Sequence, residues 1–405
     1  MKPLDPKLRD RIVRAVSARR GRMLDELVRY VAIPTGWNCT QGLDSLRGLL
    51  VDRLRALGAT TESIPGDRRP DWLLQSEGSG GGLASFNVVP PSTALCSRPV
   101  AARTRILISG HLDTVFDPSG SFRAANVSAD GMTAVGPGVA DMKGGLIAAT
   151  TALEVLDEIG ERCSWSVILN SDEETGSFAS AAALARAAGG HDIGLAVEPA
   201  LPGNGLAIER AGSGQFMVEA FGRAAHAGRD FAKGVSAVYA LARVITRLES
   251  LSDVPRRVTV NVGPLRGGSA TNIVPDHAVA FGNVRFPDRA DAEALGRALD
   301  ALATAESAVP RVSIHQIFNR PAKPLIPETQ RLADLAKQTA EELGQTLTFA
   351  STGGVCDGNN LQAAGLPTID SLGVRGGGLH THDEWIELGS LVDRAALLGC
   401  LMTRL

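Results

Sequence analysis

The sequence contains no apolar run long enough to cross a membrane and no recognisable secretory leader. None of its apolar segments reaches the roughly 18 residues that a membrane-spanning helix requires. The first residues, MKPLDPKLRDRIVRAV, carry charges throughout and lack the apolar core of a secretory signal. We therefore expect a cytoplasmic protein that has no membrane partner.

Paired cysteines and an excess of basic residues are also missing. The five cysteines are odd in number, scattered and without a CxxC pair, which argues for reduced thiols and against a disulfide framework or a cysteine-based zinc site. Lys and Arg number 41 against 44 Asp and Glu, so the net charge is −3. A nucleic-acid partner usually requires a basic face, and we expect none here.

The N-terminal part of the sequence predicts helices followed by short strands. One amphipathic helix is expected over residues 7–31, a second over about 42–57, and a strand over LASFNVV at 83–89. The glycine-rich stretch at 78–82 is more typical of a turn than of a phosphate-binding loop, because it lacks the GxxxxGK[ST] order. A nucleotide-binding protein is therefore a weak alternative. GPGVADMKGG also carries an acid where a phosphate would need amides and cations.

Strands and helices alternate from residue 105 onward. The apolar runs RILIS, SVILNS and GLAVE are separated by helices predicted at about 144–159 and 178–188. This alternation predicts an α/β fold with a mostly parallel sheet covered by helices. The same pattern returns after about residue 320. We therefore expect one discontinuous catalytic domain, formed by residues 1–208 and 318–405.

Residues 209–317 have a different pattern, which predicts a second and smaller domain. Its segments include the strands GQFMVEAFG and RVTVNVGPL and the helix VSAVYALARVITRL. Four strands and two helices occur in the order β-α-β-β-α-β, which is typical of a ferredoxin-like α+β domain. We expect this domain to be inserted into the larger one.

Acidic residues and histidines follow several of the predicted strands. The segments HLDTVF, GPGVADMKGG, NSDEETGS, VEPA and GGGLHTHDEW fall at predicted carboxyl ends of strands or in the loops after them, where open α/β sheets bind ligands. So many carboxylates would repel one another unless divalent cations balanced them, and histidine supplies the nitrogen that zinc favours. The residues concerned are His111, Asp113, Asp141, Asp172, Glu173, Glu174, Glu198 and His380.

Taken in order, these segments resemble one family of dinuclear zinc metallopeptidases. That family contains glutamate carboxypeptidase, acetylornithine deacetylase and succinyl-diaminopimelate desuccinylase. The shared motifs are HxD, GPGxxDMKGG, DEExGS, VEP and a late histidine followed by DEW. The resemblance continues through GRAAHAG, TNIVPD, NVRF and TGGVCDGN, and it covers about residues 30–403. Within the family, the sequence is most similar to the glutamate carboxypeptidase branch.

The resemblance implies a role for each matching residue at a centre of two Zn²⁺ ions per chain. Glu173 would be the general base, and Asp113 would accept the second ring N–H of His111 and so orient it. Cobalt or manganese could replace zinc, since one histidine and several oxygens per metal select weakly. The resemblance implies a bridging carboxylate and one pair of ligands for each metal: Asp141, then His111 with Glu198, and Glu174 with His380.

The resemblance also implies how the smaller domain takes part. His226 would stabilise the oxyanion, often in the site of a partner subunit. Asn272 and Arg285 would bind the carboxylate end of the substrate, and the backbone around Gly353 and Gly354 would line the pocket. The inserted domain would act as a lid and a dimerisation surface, so we expect a homodimer.

Some residues that could suggest other chemistry have plainer explanations. His382 competes with His380 as a ligand, but His380 stands four residues before Glu384, which is the spacing of the family's ligand. Cys356 has no assigned base and is expected to be a buried thiol. Asp172 is expected to support its loop. Surface or strand-face positions are expected for three further histidines, His191, His277 and His315.

The expected function is hydrolysis of an amide bond in a small-molecule or peptide substrate that has a free carboxylate. The first reading is a glutamate-carboxypeptidase-like exopeptidase. An N-acyl-amino-acid deacylase fits the same motifs, because the scissile bond is the same. A catalytically inactive metal-binding scaffold is a further alternative, against which the complete ligand set and Glu173 argue.

Overall fold

The computed structural model describes residues 4–36, 39–73, 90–101 and 103–405 of the chain. The glycine-rich stretch at 78–82 and the strand predicted at 83–89 lie outside these residues. The single helix predicted over residues 7–31 is divided by a turn at residues 18–19. This turn lets each half bury its own apolar face, so that Val16 and Met23 both reach the core.

The helices and strands of the described residues are numbered in chain order. The helices are α1 (Pro6–Ser17), α2 (Arg20–Val31), α3 (Thr40–Ala56), α4 (Gly145–Glu158), α5 (Ala181–Gly189), α6 (Ala237–Glu249), α7 (Arg289–Asp300), α8 (Pro327–Glu342), α9 (Asp357–Ala363) and α10 (Gly389–Arg404). The strands are β1 (Thr60–Ile64), β2 (Thr93–Arg98), β3 (Arg105–His111), β4 (Asn126–Val127), β5 (Thr133–Val135), β6 (Ser164–Asn170), β7 (Ile193–Ala196), β8 (Gly205–Arg210), β9 (Gly212–Phe221), β10 (Ala225–His226), β11 (Thr259–Gly267), β12 (Ile273–Val274), β13 (His277–Phe286), β14 (Arg311–Arg320), β15 (Thr348–Thr352), β16 (Thr368–Ile369), β17 (Gly376–Gly377) and β18 (Trp385–Glu387).

The first sheet has six strands in the order β1-β2-β6-β3-β7-β16. The pairs β6–β3, β3–β7 and β7–β16 are parallel, whereas β1–β2 and β2–β6 are antiparallel. The chain therefore has a mixed α/β architecture around a central sheet, and its parallel part lies where RILIS, SVILNS and GLAVE predicted it.

Helices cover both faces of this sheet. In β3, the side chains of Ile106 and Ile108 point into the large core that contains α4 and α10, whereas Leu107 points into a smaller cluster with Leu184 and Leu361. Successive strand residues face opposite sides, so a strand buried on both faces is apolar at consecutive positions. This packing explains why RILIS is an unbroken apolar run.

A second sheet of four strands is formed by residues 212–320. Its strands are antiparallel in the order β11-β13-β9-β14. The elements follow one another as β9, α6, β11, β13, α7 and β14, and apolar residues of both helices pack with one face of the sheet. The last strand extends to Arg320, past the expected limit at 317, because its final residues still pair with β9.

Smaller strand pairs complete the described structure. The pair β10–β12 joins GRAAHAG to TNIVPD beside the second sheet, and β8 pairs with β15 in parallel. The strands β17, β18, β5 and β4 form a further antiparallel sheet. In the part of the chain that the structure describes, no helix has both the length and the apolar character needed to cross a bilayer.

Candidate metal centre

Three neighbouring parallel strands end at the same edge of the first sheet and carry acids and a histidine there. His111 is the last residue of β3, and it lies opposite Asn170, the last residue of β6. Glu173 and Glu174 follow in the turn after β6, and Glu198 comes two residues after β7. This common edge follows from the parallel register, since carboxyl ends of parallel strands meet.

Two further residues reach this edge from loops. Asp141 lies in the segment Val139–Gly144 that leads into α4, at a kink where its own backbone is not helical, and His380 lies between β17 and β18. The backbone of His380 has φ 63°, an unusual left-handed conformation for a non-glycine residue. Such conformations persist where the surroundings hold them, and they often occur at functional sites.

The side chains form two groups that share Asp141. Within each group the potential donor atoms lie within 4.8 Å of one another: His111, Asp141 and Glu198 in one, and Asp141, Glu174 and His380 in the other. Asp141 offers Oδ1 to His111 at 3.1 Å and Oδ2 to His380 at 3.6 Å. A carboxylate that presents one oxygen to each group is suited to bridging two metal ions. Each group could therefore hold one ion, and the donors fit divalent metals.

The electrostatics of the groups also fit bound cations. Burial, together with the charge of Asp141, raises the pKa of Glu174 to about 8, and burial raises the pKa of Glu198 well above its usual range. Hydrogen bonds to Asp141 and Glu174 raise the pKa of His380 to about 10. Without cations, these buried acids can coexist only by sharing protons with each other and with the histidines. Divalent ions would replace those protons.

Asp113 contacts His111, but its backbone oxygen lies closer to the ring than the carboxylate that the resemblance implied. The ring Nδ1 of His111 lies 3.0 Å from the backbone oxygen of Asp113 and 3.5 Å from its Oδ1. The carboxylate instead accepts hydrogen bonds from the backbone N–H groups of Glu173 at 3.2 Å and Glu174 at 2.9 Å. Because Asp113 is fully buried, its carboxylate needs such donors. Asp113 thus orients both the histidine ring and the acidic turn.

Glu173 is held by an arginine that sequence reasoning missed. Arg320, at the end of β14, forms an ion pair with Glu173, with Nη2 2.8 Å from Glu173 Oε1. The same nitrogen lies 2.9 Å from the backbone oxygen of Glu173 and 2.8 Å from Ser177 Oγ. Burial raises the pKa of Glu173, and the charge of Arg320 opposes this increase. A lone arginine at a strand end carries no motif, so only the folded chain identifies this contact.

Glu384 is the second residue whose function was missed. Its carboxylate accepts hydrogen bonds from the backbone N–H groups of Gly138 at 3.0 Å, Ala140 at 2.8 Å and Asp141 at 3.0 Å. Burial raises the pKa of Glu384 to about 7, although these donors act in the opposite direction. Glu384 therefore fixes the backbone that presents Asp141. Its position in HDEW, four residues after His380, was the available signal.

A cavity of about 430 Å³ opens beside Glu173, Glu174 and His380. Arg285 and Gly354 line it, as the resemblance implied. Arg285 Nη1 is buried and has no hydrogen-bond partner among the described residues. Burial and the neighbouring charge of Arg320 lower the pKa of Arg285. This volume is in the range of small-molecule sites, and the unpaired guanidinium nitrogen suits an anionic ligand.

Three of the expected substrate residues are not in the lining of this cavity. His226 is exposed on β10, where it pairs with Ile273 of β12. The backbone oxygen of Asn272 accepts from Ala227 N at 2.9 Å in the same strand pair. Gly353 is exposed. Within one chain, the structure does not bring these residues to the two metal-binding groups.

Residues with competing interpretations have other contacts. The ring of His382 stacks on Phe122 at 5.0 Å, away from both metal-binding groups. Cys356 is buried at the start of α9, where its Sγ accepts from Gly358 N, and burial raises the pKa of this thiol well above its usual range. Asp172 is buried and accepts from Ser180 Oγ at 2.7 Å, which supports the turn. A thiol nucleophile is therefore not supported.

Comparison with known proteins relates the chain to one family. The family described as "Peptidase family M20/M25/M40" matches residues 107–404. Carboxypeptidase G2 of Pseudomonas sp. strain RS-16 is 27% identical over 402 residues, which cover 97% of this chain and 92% of that protein. Succinyl-diaminopimelate desuccinylase of Methylobacterium radiotolerans is 30% identical over 319 residues, which cover 73% and 79%.

Solved structures share the fold at lower sequence identity. The aminopeptidase PepT from Bacillus cereus superposes with a TM-score of 0.73 at 23% identity, covering 95% of this chain and 98% of that one. The M20 family metallo-carboxypeptidase Sso-CP2 from Sulfolobus solfataricus gives a TM-score of 0.69 at 16% identity, covering 94% and 98%. At these identities, the likeness concerns the fold alone.

Proposed function

The chain belongs to peptidase family M20/M25/M40 and is a metal-dependent hydrolase, and from this premise we propose that it cleaves an amide bond in a small substrate that has a free carboxylate. The observation that carries the proposal is the shared carboxylate of Asp141, which offers one oxygen to each metal-binding group. The first reading is a glutamate-carboxypeptidase-like exopeptidase, supported by the full-length similarity to carboxypeptidase G2.

The proposed centre holds two zinc ions. One would be bound by His111 and Glu198, the other by Glu174 and His380, and both by Asp141. When bound, such a metal pair polarises the scissile carbonyl and makes water more acidic. Cobalt or manganese would satisfy the same donors, because imidazole and carboxylate ligands select weakly among these ions.

Glu173 moves the proton in this proposal. It takes a proton from the attacking water as the new C–O bond forms, and it delivers that proton to the amide nitrogen as the C–N bond breaks. The products are a carboxylic acid and an amine, and the acid proton passes to the amine at neutral pH to give a carboxylate and an ammonium ion. Arg320 holds Oε1 of Glu173 at 2.8 Å, so Oε2 is the oxygen available for the transfer. Asp113 keeps the turn in place through the backbone N–H groups of Glu173 and Glu174.

The proposed substrate carboxylate binds to Arg285 in the cavity. Its unpaired Nη1 can donate to an anionic ligand, and the planar guanidinium suits a carboxylate. Gly354 lines the same cavity. Amide cleavage of this kind also describes an N-acyl-amino-acid deacylase, and the 30% identity to a succinyl-diaminopimelate desuccinylase supports that alternative. The complete set of metal-binding side chains, and the ion pair of Glu173 with Arg320, argue against a catalytically inactive scaffold.

We further propose that residues 209–317 form a ferredoxin-like lid and dimerisation domain inserted between the catalytic segments 1–208 and 318–405. His226 and Asn272 are absent from the cavity lining of their own chain and lie on the pair β10–β12. Such a position suits residues that complete the site of a partner subunit. The edge strand β11 exposes Leu265, an apolar side chain that a second copy of the chain would cover.

The test of the proposed function combines metal analysis with one variant and its control. The purified chain should bind two divalent ions and release an amine from N-acyl amino acids or dipeptides, and a chelator should abolish the release. Glu173→Gln should keep both ions and lose most turnover. The control Glu306→Gln changes an exposed glutamate outside the cavity lining. Full turnover in Glu173→Gln would contradict the base assignment. Two bound ions without any turnover in the wild type would favour the scaffold, and absence of metal after reloading would overturn the proposed centre.

A further inference from the structure

A buried aspartate lies behind the arginine that holds Glu173. Asp357 is the first residue of α9 and belongs to the segment TGGVCDGN, of which the proposed mechanism uses only Gly354. Asp357 is 2% exposed and is not in the lining of the cavity. Its Oδ1 lies 3.8 Å from Arg320 Nη2, which is too far for a hydrogen bond. Since burying a carboxylate is costly, other contacts must stabilise Asp357 at this position.

Hydrogen bonds from two side chains fix the orientation of the Asp357 carboxylate. Asn170 Nδ2 donates to Oδ2 at 2.7 Å, and Ser177 Oγ donates to Oδ1 at 2.6 Å. Asn170 is the last residue of β6, and Ser177 follows Glu173 by four residues in the acidic turn. Asp357 is therefore bound to the chain on both sides of Glu173.

The hydroxyl of Ser177 gives these contacts a direction. A serine has one hydrogen to donate, and an ionised carboxylate can only accept. The bond to Asp357 uses that hydrogen and leaves the lone pairs of Ser177 Oγ for another donor. Arg320 Nη2 donates to this oxygen at 2.8 Å, and the same nitrogen forms the ion pair with Glu173 Oε1. The contacts thus form one chain of four side chains: Asp357, Ser177, Arg320 and Glu173.

We propose that Asp357 is a positioning residue for the general base and that it acts through Ser177 and Arg320. This inference rests on the proposed function, in which Glu173 moves the proton. Asp357 keeps Ser177 Oγ as an acceptor, and Ser177 fixes the guanidinium of Arg320. Arg320 then holds Oε1 of Glu173 and leaves Oε2 for proton transfer. Ser177 and Arg320 are at most 1% exposed, so bulk water has little access to replace a lost contact.

The variant Asp357→Asn should reverse the bond to Ser177. Its oxygen keeps the bond from Asn170, because the opposite orientation would bring two NH₂ groups together, and its own NH₂ group then faces Ser177 Oγ. Ser177 accepts from the asparagine, and its hydrogen turns toward the N–H of Arg320. With an N-acyl amino acid or dipeptide that the wild type hydrolyses, kcat should fall by about 10- to 100-fold, the usual cost of losing an orienting partner. KM and the content of two metal ions should not change.

A second substitution distinguishes positioning from a merely structural role. Ser177→Ala removes the reversed hydroxyl, so the double variant Asp357→Asn/Ser177→Ala should recover kcat to the level of Ser177→Ala alone. That level should lie between wild type and Asp357→Asn. A structural role predicts instead that the double variant is worse than either single variant. If Asp357→Asn does not fold, Ser177→Ala should still lower kcat without changing KM, and wild-type kcat in Ser177→Ala would overturn the inference.

A matched control changes another buried aspartate that binds an arginine. Asp291 on α7 is 8% exposed, forms an ion pair with Arg256 and is not in the lining of the cavity. Asp291→Asn removes the same charge from a buried position, so it should keep the wild-type kcat and KM. An equal loss of kcat in Asp291→Asn and Asp357→Asn would assign the effect to general destabilisation and overturn the inference.

Urea unfolding of the same metal-free proteins separates this inference from the proposed function. The double variant should unfold at a higher urea concentration than Asp357→Asn, because removing the hydroxyl relieves its contact with Arg320. This order supports the inference even if the wild type hydrolyses no substrate and the proposed function fails. A double variant that is less stable than Asp357→Asn overturns the inference. Unchanged kcat in Asp357→Asn, beside an active wild type, also overturns it while hydrolysis stands.

Discussion

Removal of the Glu384 carboxylate should destabilise the chain and loosen the metal centre together. Glu384 is 1% exposed and accepts three backbone hydrogen bonds at 2.8–3.0 Å from residues 138, 140 and 141. Bonds to a charged acceptor contribute about 1.5–3 kcal/mol each, and a buried donor left unpaired costs about 1–3 kcal/mol. Water can enter the space left by Glu384→Ala and satisfy part of the loss. We therefore expect the free energy of unfolding to fall by about 3–6 kcal/mol.

The isosteric variant Glu384→Gln should show a smaller effect for a geometric reason. Oε1 accepts from Ala140 and Asp141, and Oε2 accepts from Gly138. A glutamine can keep the two bonds at its oxygen, but its NH₂ group then faces the N–H of Gly138. One bond and the charge are lost, so we expect a decrease of about 1–3 kcal/mol.

Urea unfolding of the metal-free proteins measures these changes in stability, and calorimetric titration measures the affinity for zinc. Because Glu384 fixes the backbone of Asp141, both variants should also bind zinc more weakly, by about 10- to 100-fold. The exposed neighbour provides the control Asp383→Asn, which should stay within about 0.5 kcal/mol of wild type. If Glu384→Ala matched this control in stability and zinc affinity, the three hydrogen bonds would not hold the Asp141 turn.

Two further predictions concern regions away from the metal-binding groups. Burial lowers the pKa of His191 below its usual value, so the folded chain binds fewer protons there than the unfolded chain. This contribution to stability is present above about pH 6.5 and is lost as the pH falls through the folded pKa. When urea unfolding is measured at about pH 7.5 and about pH 5.5, the free energy of unfolding should therefore fall less for His191→Gln than for wild type. Leu265 is 61% exposed on the edge strand β11. Light scattering at micromolar concentration should show that Leu265→Asp converts a homodimer to monomers. The variant Tyr239→Ser on α6 tests a second exposed apolar residue in the same way. A wild-type chain that is already monomeric would refute the dimer proposal.

The strands at the metal edge could be predicted closely from the sequence because their signals are local. RILIS indicated a strand over residues 105–109, and the observed strand is Arg105–His111. Burial on both faces requires an apolar run, and burial continues past that run through Ser109 and His111, which extends the strand by two residues. The helix predicted at about 144–159 is found at Gly145–Glu158 for a similar reason, since it is buried along most of its length.

The contacts that support the site could not be predicted because they join residues that are far apart in sequence. Arg320 lies 147 residues from Glu173, and Glu384 lies 243 residues from Asp141. No local pattern marks Arg320, and the position of Glu384 in HDEW identifies the residue but not its contact with the backbone of Asp141. Local periodicity locates elements, whereas these contacts depend on how the elements pack.

The contacts between the end of β14 and the acidic turn limit how this chain can be divided into portions or recombined with its relatives. Arg320 and Asn319 end the second sheet, yet they bind the backbone oxygens of Glu173 and Gly176 in the turn after β6. An isolated α/β portion would lose this support and present Glu173 without its positive neighbour. A chimera that exchanges the small sheet between relatives would therefore need to keep these two residues with the recipient's turn. The two portions therefore depend on each other at the acidic turn, although their sheets are separate.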